Sequence, residues 1–159
     1  MTLRRSILVA LLALGLVVVL GLALRSERVL TAGLPLRIVA KSQQEARTLA
    51  GLGAVGVLGV LGTGSMAPYI AAAPAGSDPL ATVMAYVVTV QGATIADVRA
   101  GSLCIYVPEW AGRHVMHQAA SFADGGWIMT GLGTKSYENA ERMTGRNFVG
   151  IVARTYIWP

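Results

Sequence analysis

Residues Ile7 to Leu24 read ILVALLALGLVVVLGLAL, 18 consecutive residues without a charge. Wound as an α-helix at about 1.5 Å per residue, such a run reaches roughly 27 Å, close to the hydrocarbon thickness of a thin bilayer. The sequence therefore predicts a transmembrane anchor over residues 1–24. The competing reading is a cleaved secretory leader, with Gly21-Leu22-Ala23 as a small-x-small cleavage site. A leader's apolar region is shorter, about 7–15 residues. Arg4 and Arg5 precede the run, and Arg25, Arg28, Arg37 and Lys41 follow it. The larger count after the span means that charge bias alone does not favour a cytoplasmic N-terminus.

An anchor accounts for part of the 159 residues and leaves room for one further domain, not two. Charged residues make up 13% of the chain, against about 25% in an average soluble domain. One cysteine excludes an internal disulfide framework and a Cys-rich zinc site; no metal or other cofactor is expected. The net charge of +5 comes from 11 Arg and 2 Lys against 8 acids. These basic residues are scattered, with no run longer than Arg4-Arg5, so no nucleic-acid partner is expected. Membrane lipid is the partner that the charge fits better.

Residues 25–62 read as a linker followed by a Gly-rich, apolar, membrane-proximal segment. Lys41 to Thr48 is rich in helix formers. Leu49 to Gly62 is apolar but carries glycine at 51, 53, 56, 59 and 62, which opposes a stable isolated helix. Three readings stand for it: a buried strand or packed segment, a surface that dips into the membrane, and a small-xxx-small helix-packing face, which the irregular glycine spacing disfavours.

From Thr82 the texture becomes that of strands. Thr82–Val90, Leu103–Val107, Arg113–Phe122 and Trp127–Thr130 are short β-branched and aromatic runs. The last two form a hairpin across Asp124-Gly125-Gly126. Phe148–Ala153 and Thr155–Trp158 end the chain as strand, and Tyr137–Met143 reads as one helical turn. The predicted fold is a small, mostly β domain over residues 63–159, with coiled or partly closed antiparallel sheets, behind one N-terminal transmembrane helix.

The most informative stretch is Gly62-Thr63-Gly64-Ser65-Met66-Ala67-Pro68-Tyr69-Ile70. Gly64 lets the backbone take unusual dihedrals and approach a substrate closely. Pro68 fixes the exit direction. The result is a rigid turn aiming a hydroxyl and its own amide N–H at one point. On composition alone such a segment reads as a structural turn.

Thr63-Gly64-Ser65-Met66-Ala67-Pro68 resembles the nucleophile box of type I signal peptidases: a small hydroxyl residue, Gly, Ser, Met, any residue, Pro. As in that family, it lies downstream of an apolar N-terminal run. Tyr69 departs from the family's Thr, and Ile70 keeps an apolar residue. The likeness continues more loosely to residue 153. Gly101-Ser102 stands where the family has Gly-Asp at the head of a strand. Val115-Met116-His117-Gln118-Ala119 is similar to the general-base strand in its His form, that of archaeal and endoplasmic-reticulum enzymes. Ile128-Met129-Thr130-Gly131-Leu132-Gly133 follows the next box in outline, with Gly133 where Asp is usual. Val149-Gly150-Ile151-Val152 matches a final Gly-x-Val strand.

The resemblance implies a membrane-bound serine endopeptidase that cleaves preproteins or membrane-tethered peptides after small residues. Ser65 is the expected nucleophile and His117 the general base. His117 shares a strand face with Val115 and Ala119, while His114 points to the other side. The Ser65 N–H and Thr63 are oxyanion-hole candidates. Glu138 and Glu141 are the carboxylates available to orient the imidazole, since the usual Asp is missing. Lys135 is a rival base, but its loop is not the base strand, and burial would have to lower its pKa by about 3 units. Cys104 reads as a small buried hydrophobe. A single-pass membrane protein with an extracytoplasmic catalytic domain is implied, against the arginine count after the span. The alternative is a catalytically inactive membrane-anchored binding or assembly protein of the same fold. A self-cleaving repressor-like protease is disfavoured by the apolar run.

Overall fold

The computed structural model describes residues 34–51, 56–133 and 137–159, and residues 137–140 by their backbone alone. The apolar run at residues 7–24 and Lys135 lie outside the described residues. Among the described residues no helix is long and apolar enough to cross a membrane.

The fold is mostly β, a curled antiparallel sheet. Its strands are β1 (Leu36–Val39), β2 (Val57–Leu61), β3 (Val83–Thr89), β4 (Leu103–Tyr106), β5 (Val115–Ala123), β6 (Gly126–Thr130), β7 (Tyr137–Met143) and β8 (Phe148–Ile157). They run in the order β2-β3-β8-β4-β5-β6-β7, and β1 pairs in parallel with the second half of β8. β3 is a run of β-branched and aromatic residues whose centre, Met84 to Val87, is buried, as suits a strand paired on both edges. β5 and β6 form the hairpin expected from Asp124-Gly125, with Asp124 at φ 52° and Gly125 at φ 77°.

Curling carries the sheet's first strand back to its fifth. The Leu61 N–H at the end of β2 reaches the His114 carbonyl, just before β5, at 3.4 Å. The chain that leaves β2 and the chain that opens β5 therefore lie side by side. The enclosed core joins Val60, Met66, Ile70, Val87, Leu103, Ile105, Met116 and Val152. A second cluster forms where α1 (Gln43–Ala50) lays Ala46 and Ala50 against Tyr86 and Tyr156. The Ser42 hydroxyl accepts the Glu45 N–H at the start of α1, the Glu45 carboxylate accepts the Lys41 N–H, and Gly51, at φ 71°, closes its end.

Two local expectations need correction, and a third is narrowed. Tyr137–Met143 is strand β7, not a helical turn, and pairs with β6 through Trp127↔Met143 and Thr130↔Tyr137. Its Glu, Ala, Arg and Met favour a helix weakly, and pairing with the edge of β6 outweighs that preference. The final strand does not break at Arg154: β8 is continuous, held by β3 on one side and by β4 and β1 on the other. Within the apolar segment 49–62, the strand occupies Val57–Leu61, while Leu49 and Ala50 belong to α1.

Candidate active site

The turn that carries Ser65 begins as the chain leaves β2. Gly64 sits at φ +82°, a conformation that L side chains rarely adopt, and so turns the chain at the residue before Ser65. The turn closes through Ala67 N–H to the Gly64 carbonyl at 3.1 Å and Tyr69 N–H to the Met66 carbonyl at 2.8 Å. Met66 and Ile70 point into the core, leaving Ser65 half-buried above it.

The exit of the turn is clamped by β1 and β8. The Arg37 guanidinium donates to the Pro68 carbonyl at 3.0 Å and lies over the Tyr69 ring. The Tyr69 hydroxyl donates to the Pro35 carbonyl at 2.8 Å and meets Thr155 Oγ1 at 3.1 Å. Burial pushes the Tyr69 pKa up, although Thr155 and Arg37 oppose it.

A second loop packs on the other side. Gly133 N–H donates to the Ser65 carbonyl at 3.0 Å. A Cβ at residue 131 would lie 2.2 Å from the Ser65 carbonyl oxygen, and one at residue 133 would lie 2.3 Å from that of Ala67. Both positions must be glycine for the backbones to approach this closely. An Asp at residue 133, as the resemblance would have, does not fit this loop.

His117 lies on β5, fully buried. Its Nε2 is 2.7 Å from Ser65 Oγ, across 52 positions of sequence. Burial pushes the imidazole pKa down to about 4. The ring is therefore neutral near pH 7, the form that can accept a proton. Its Nδ1 is 2.9 Å from the hydroxyl of Tyr106, itself buried on β4. Thr63 Oγ1 lies 2.9 Å from Ser65 Oγ. Thr63, Ser65, His117 and Tyr106 thus form one chain of hydrogen-bonding groups.

Of the residues anticipated from sequence, Thr63, Ser65 and His117 come together. Glu141 is engaged elsewhere: its oxygens accept from the Glu109 N–H at 2.7 Å and the Asn147 amide at 2.9 Å. The geometry gives that carboxylate a role in tying loops rather than orienting the imidazole. Glu138 stands on β7 opposite Met129, and its side chain is outside the described residues. His114 is half-buried just outside β5 and bonds Leu61 through its carbonyl. Ser102, in the place of the family's first Asp, accepts the Arg99 N–H at 3.1 Å. Cys104 is buried, its thiol pushed up to about 12 by desolvation, and so is inert at neutral pH.

Tyr106 is the site residue that sequence reasoning missed. Cys104 stands directly opposite His117 in the β4–β5 register. Tyr106 is two residues on, on the same strand face as Cys104, so it is the diagonal neighbour of His117. An aromatic side chain can bridge that diagonal.

A groove of about 380 Å³ is lined in part by Gly131, whose backbone packs against the Ser65 carbonyl. Gly101, Ala119, Ala120 and Gly131 give it small walls, with Gln118, Thr130 and Leu132 around them. Among the described residues no group of three or more His, Cys, Asp or Glu is placed to hold a metal ion. Comparison of the chain with protein-family models, with curated proteins and with solved structures returns no match.

Proposed function

We propose that the chain is a membrane-bound serine endopeptidase, resembling signal peptidases, that cuts membrane-tethered preproteins near the bilayer. The observation that carries this reading is the 2.7 Å approach of Ser65 Oγ to His117 Nε2. A serine hydroxyl is a weak nucleophile until a neighbouring base takes its proton. Here the base is a desolvated, neutral imidazole within hydrogen-bond reach, as general-base catalysis requires.

The steps follow from that pair. Ser65 Oγ bonds to the scissile carbonyl carbon as its proton passes to His117 Nε2, and the carbonyl π pair moves onto oxygen. That oxyanion needs preorganised donors; the Ser65 N–H and the Thr63 hydroxyl are the candidates, Thr63 already lying 2.9 Å from Ser65 Oγ. The imidazolium then gives its proton to the leaving amine as the C–N bond breaks. Water, deprotonated by the same imidazole, hydrolyses the acyl-enzyme.

The groove walled by Gly101, Ala119, Ala120 and Gly131 shares Gly131 with the packing around Ser65 and is consistent with small side chains next to the cut bond. The apolar run at residues 7–24 would hold the domain where such substrates leave the bilayer. The resemblance puts that domain on the extracytoplasmic face.

The test is cleavage of a mixed peptide and preprotein library by the full-length protein in detergent. The wild type is expected to cut after Ala-like residues, and Ser65→Ala and His117→Ala to lose the cutting. A library left intact by the wild type would leave the inactive anchored binding protein as the reading, and equal cutting by Ser65→Ala would remove Ser65 as the nucleophile.

A further inference from the structure

His117 uses one nitrogen toward Ser65, and the state of the other nitrogen decides whether that contact is productive. To take the Ser65 proton, Nε2 must present a lone pair. The single hydrogen of the neutral ring must then sit on Nδ1 and be accepted there. The group placed to accept it is the Tyr106 hydroxyl, 2.9 Å from Nδ1. The contact is built into the sheet. Tyr106 is 1% exposed and His117 is fully buried. β4 and β5 hold them in diagonal register, and their rings pack at 5.8 Å between centroids.

We propose that Tyr106 is the positioning residue of this site, accepting the Nδ1–H of His117 and so holding the imidazole in the tautomer that can deprotonate Ser65. This inference rests on the Ser65–His117 reading. It assigns to a phenol the task that the resemblance would give to a carboxylate.

The consequences are specific. As Ser65 Oγ bonds to the substrate, its proton moves to Nε2 and the ring becomes an imidazolium with two N–H donors. One faces the oxygen that has just lost its proton. The other stays on Tyr106 Oη throughout. The same contact therefore stabilises the charged ring in a setting where burial opposes charge. Without the hydroxyl, the Nδ1–H would lose this acceptor. The neutral ring would gain by moving its hydrogen to Nε2, where it blocks transfer from Ser65.

The test uses the full-length protein in detergent. Tyr106→Phe keeps the ring and its packing and removes only the hydroxyl. The expected result is a kcat lowered about 10- to 100-fold, the value of one hydrogen bond to a charged group, with KM within about 2-fold. The acid limb of the pH profile should move to lower pH, because the imidazolium has lost a partner. A purely structural role would not move that limb at constant KM. Independently of any variant, ¹⁵N NMR of His117 in the wild type should find the proton on Nδ1 and a bare Nε2.

A Tyr106→Phe enzyme with wild-type kcat and pH profile, or a wild-type ring protonated on Nε2, would overturn the assignment. Ser65→Ala separates this from failure of the larger reading. If Ser65→Ala abolishes cleavage while Tyr106→Phe does not lower it, the serine protease stands and the role of Tyr106 falls. If Ser65→Ala cleaves normally, both fall.

Discussion

The carbonyl oxygen of Ser65 accepts the main-chain N–H of Gly133 at 3.0 Å, so the loop after β6 fixes the Ser65 turn from behind. The contact requires that neither Gly131 nor Gly133 carry a side chain, since a Cβ there would collide with the carbonyls of Ser65 and Ala67. Gly131→Ala and Gly133→Ala should each displace the Ser65 turn. Displacements of about 1 Å at a reacting group cost roughly 100-fold in rate. Cleavage is expected to fall by at least about 10-fold in both variants, with a native circular dichroism spectrum. Unchanged kinetics in either variant would mean that the loop does not position the nucleophile.

Thr63 Oγ1 lies 2.9 Å from Ser65 Oγ, and the proposed mechanism makes it an oxyanion donor. Removing an oxyanion donor costs about 100- to 1000-fold in kcat. Thr63→Val should show a loss of that order, and Thr63→Ser should keep most of the activity because it keeps the hydroxyl. If Thr63→Val turns over at the wild-type rate, the hydroxyl is a local turn bond and no more.

The buried imidazole makes a pH prediction of definite sign. The groups facing it among the described residues are the Ser65 and Tyr106 hydroxyls, with the protonated Cys104 thiol across the strand pair. With the His117 pKa pushed down to about 4, the acid limb of kcat/KM should fall near pH 4. An exposed histidine would place it at about 6.5. The unfolded chain takes up a proton that the native ring refuses until pH is much lower. Stability is therefore full above about pH 6.5 and declines as pH falls from there toward 4. Thermal unfolding of the wild type and of His117→Gln across this window checks the point: the variant should lose most of the slope. The smaller contribution of His114, whose pKa burial also lowers, should remain. An acid limb at or above 6.5 would contradict the burial argument.

Ser65 and His117 were legible in the sequence because each announces itself locally. Gly64-Ser65-Met66-Ala67-Pro68 is a turn with a motif inside it, and the alternation around His117 says which histidine faces inward. Tyr106 was not legible. Its role depends on which residue of β4 stands opposite His117, and register across an 11-residue separation is not stated by either strand alone. Strand β1 was hidden because Leu36–Val39 is too short to show a period, and it exists through pairing with β8. The mostly β character was visible, because β-branched runs separated by glycine turns need no long-range knowledge to read.

Tyr69 ties the turn's exit to the segment before β1. Tyr69→Phe removes the hydroxyl that meets the Pro35 carbonyl and the buried Thr155 Oγ1. Leaving a buried polar group unpaired costs about 1–3 kcal/mol. The melting temperature should drop by several degrees, with the Ser65–His117 contact and the pH profile retained. A variant as stable as the wild type would show that the clamp carries no stability.

The central claim is that Ser65 is a nucleophile activated by His117, and it can be read without knowing the natural substrate. The measurement is intact and peptide mass spectrometry of the full-length protein in detergent after treatment with a small fluorophosphonate. The expected result is one adduct, on Ser65, absent in Ser65→Ala and formed at least about 10-fold more slowly in His117→Ala. A Ser65 that stays unmodified, or that reacts as fast without His117, would contradict the account.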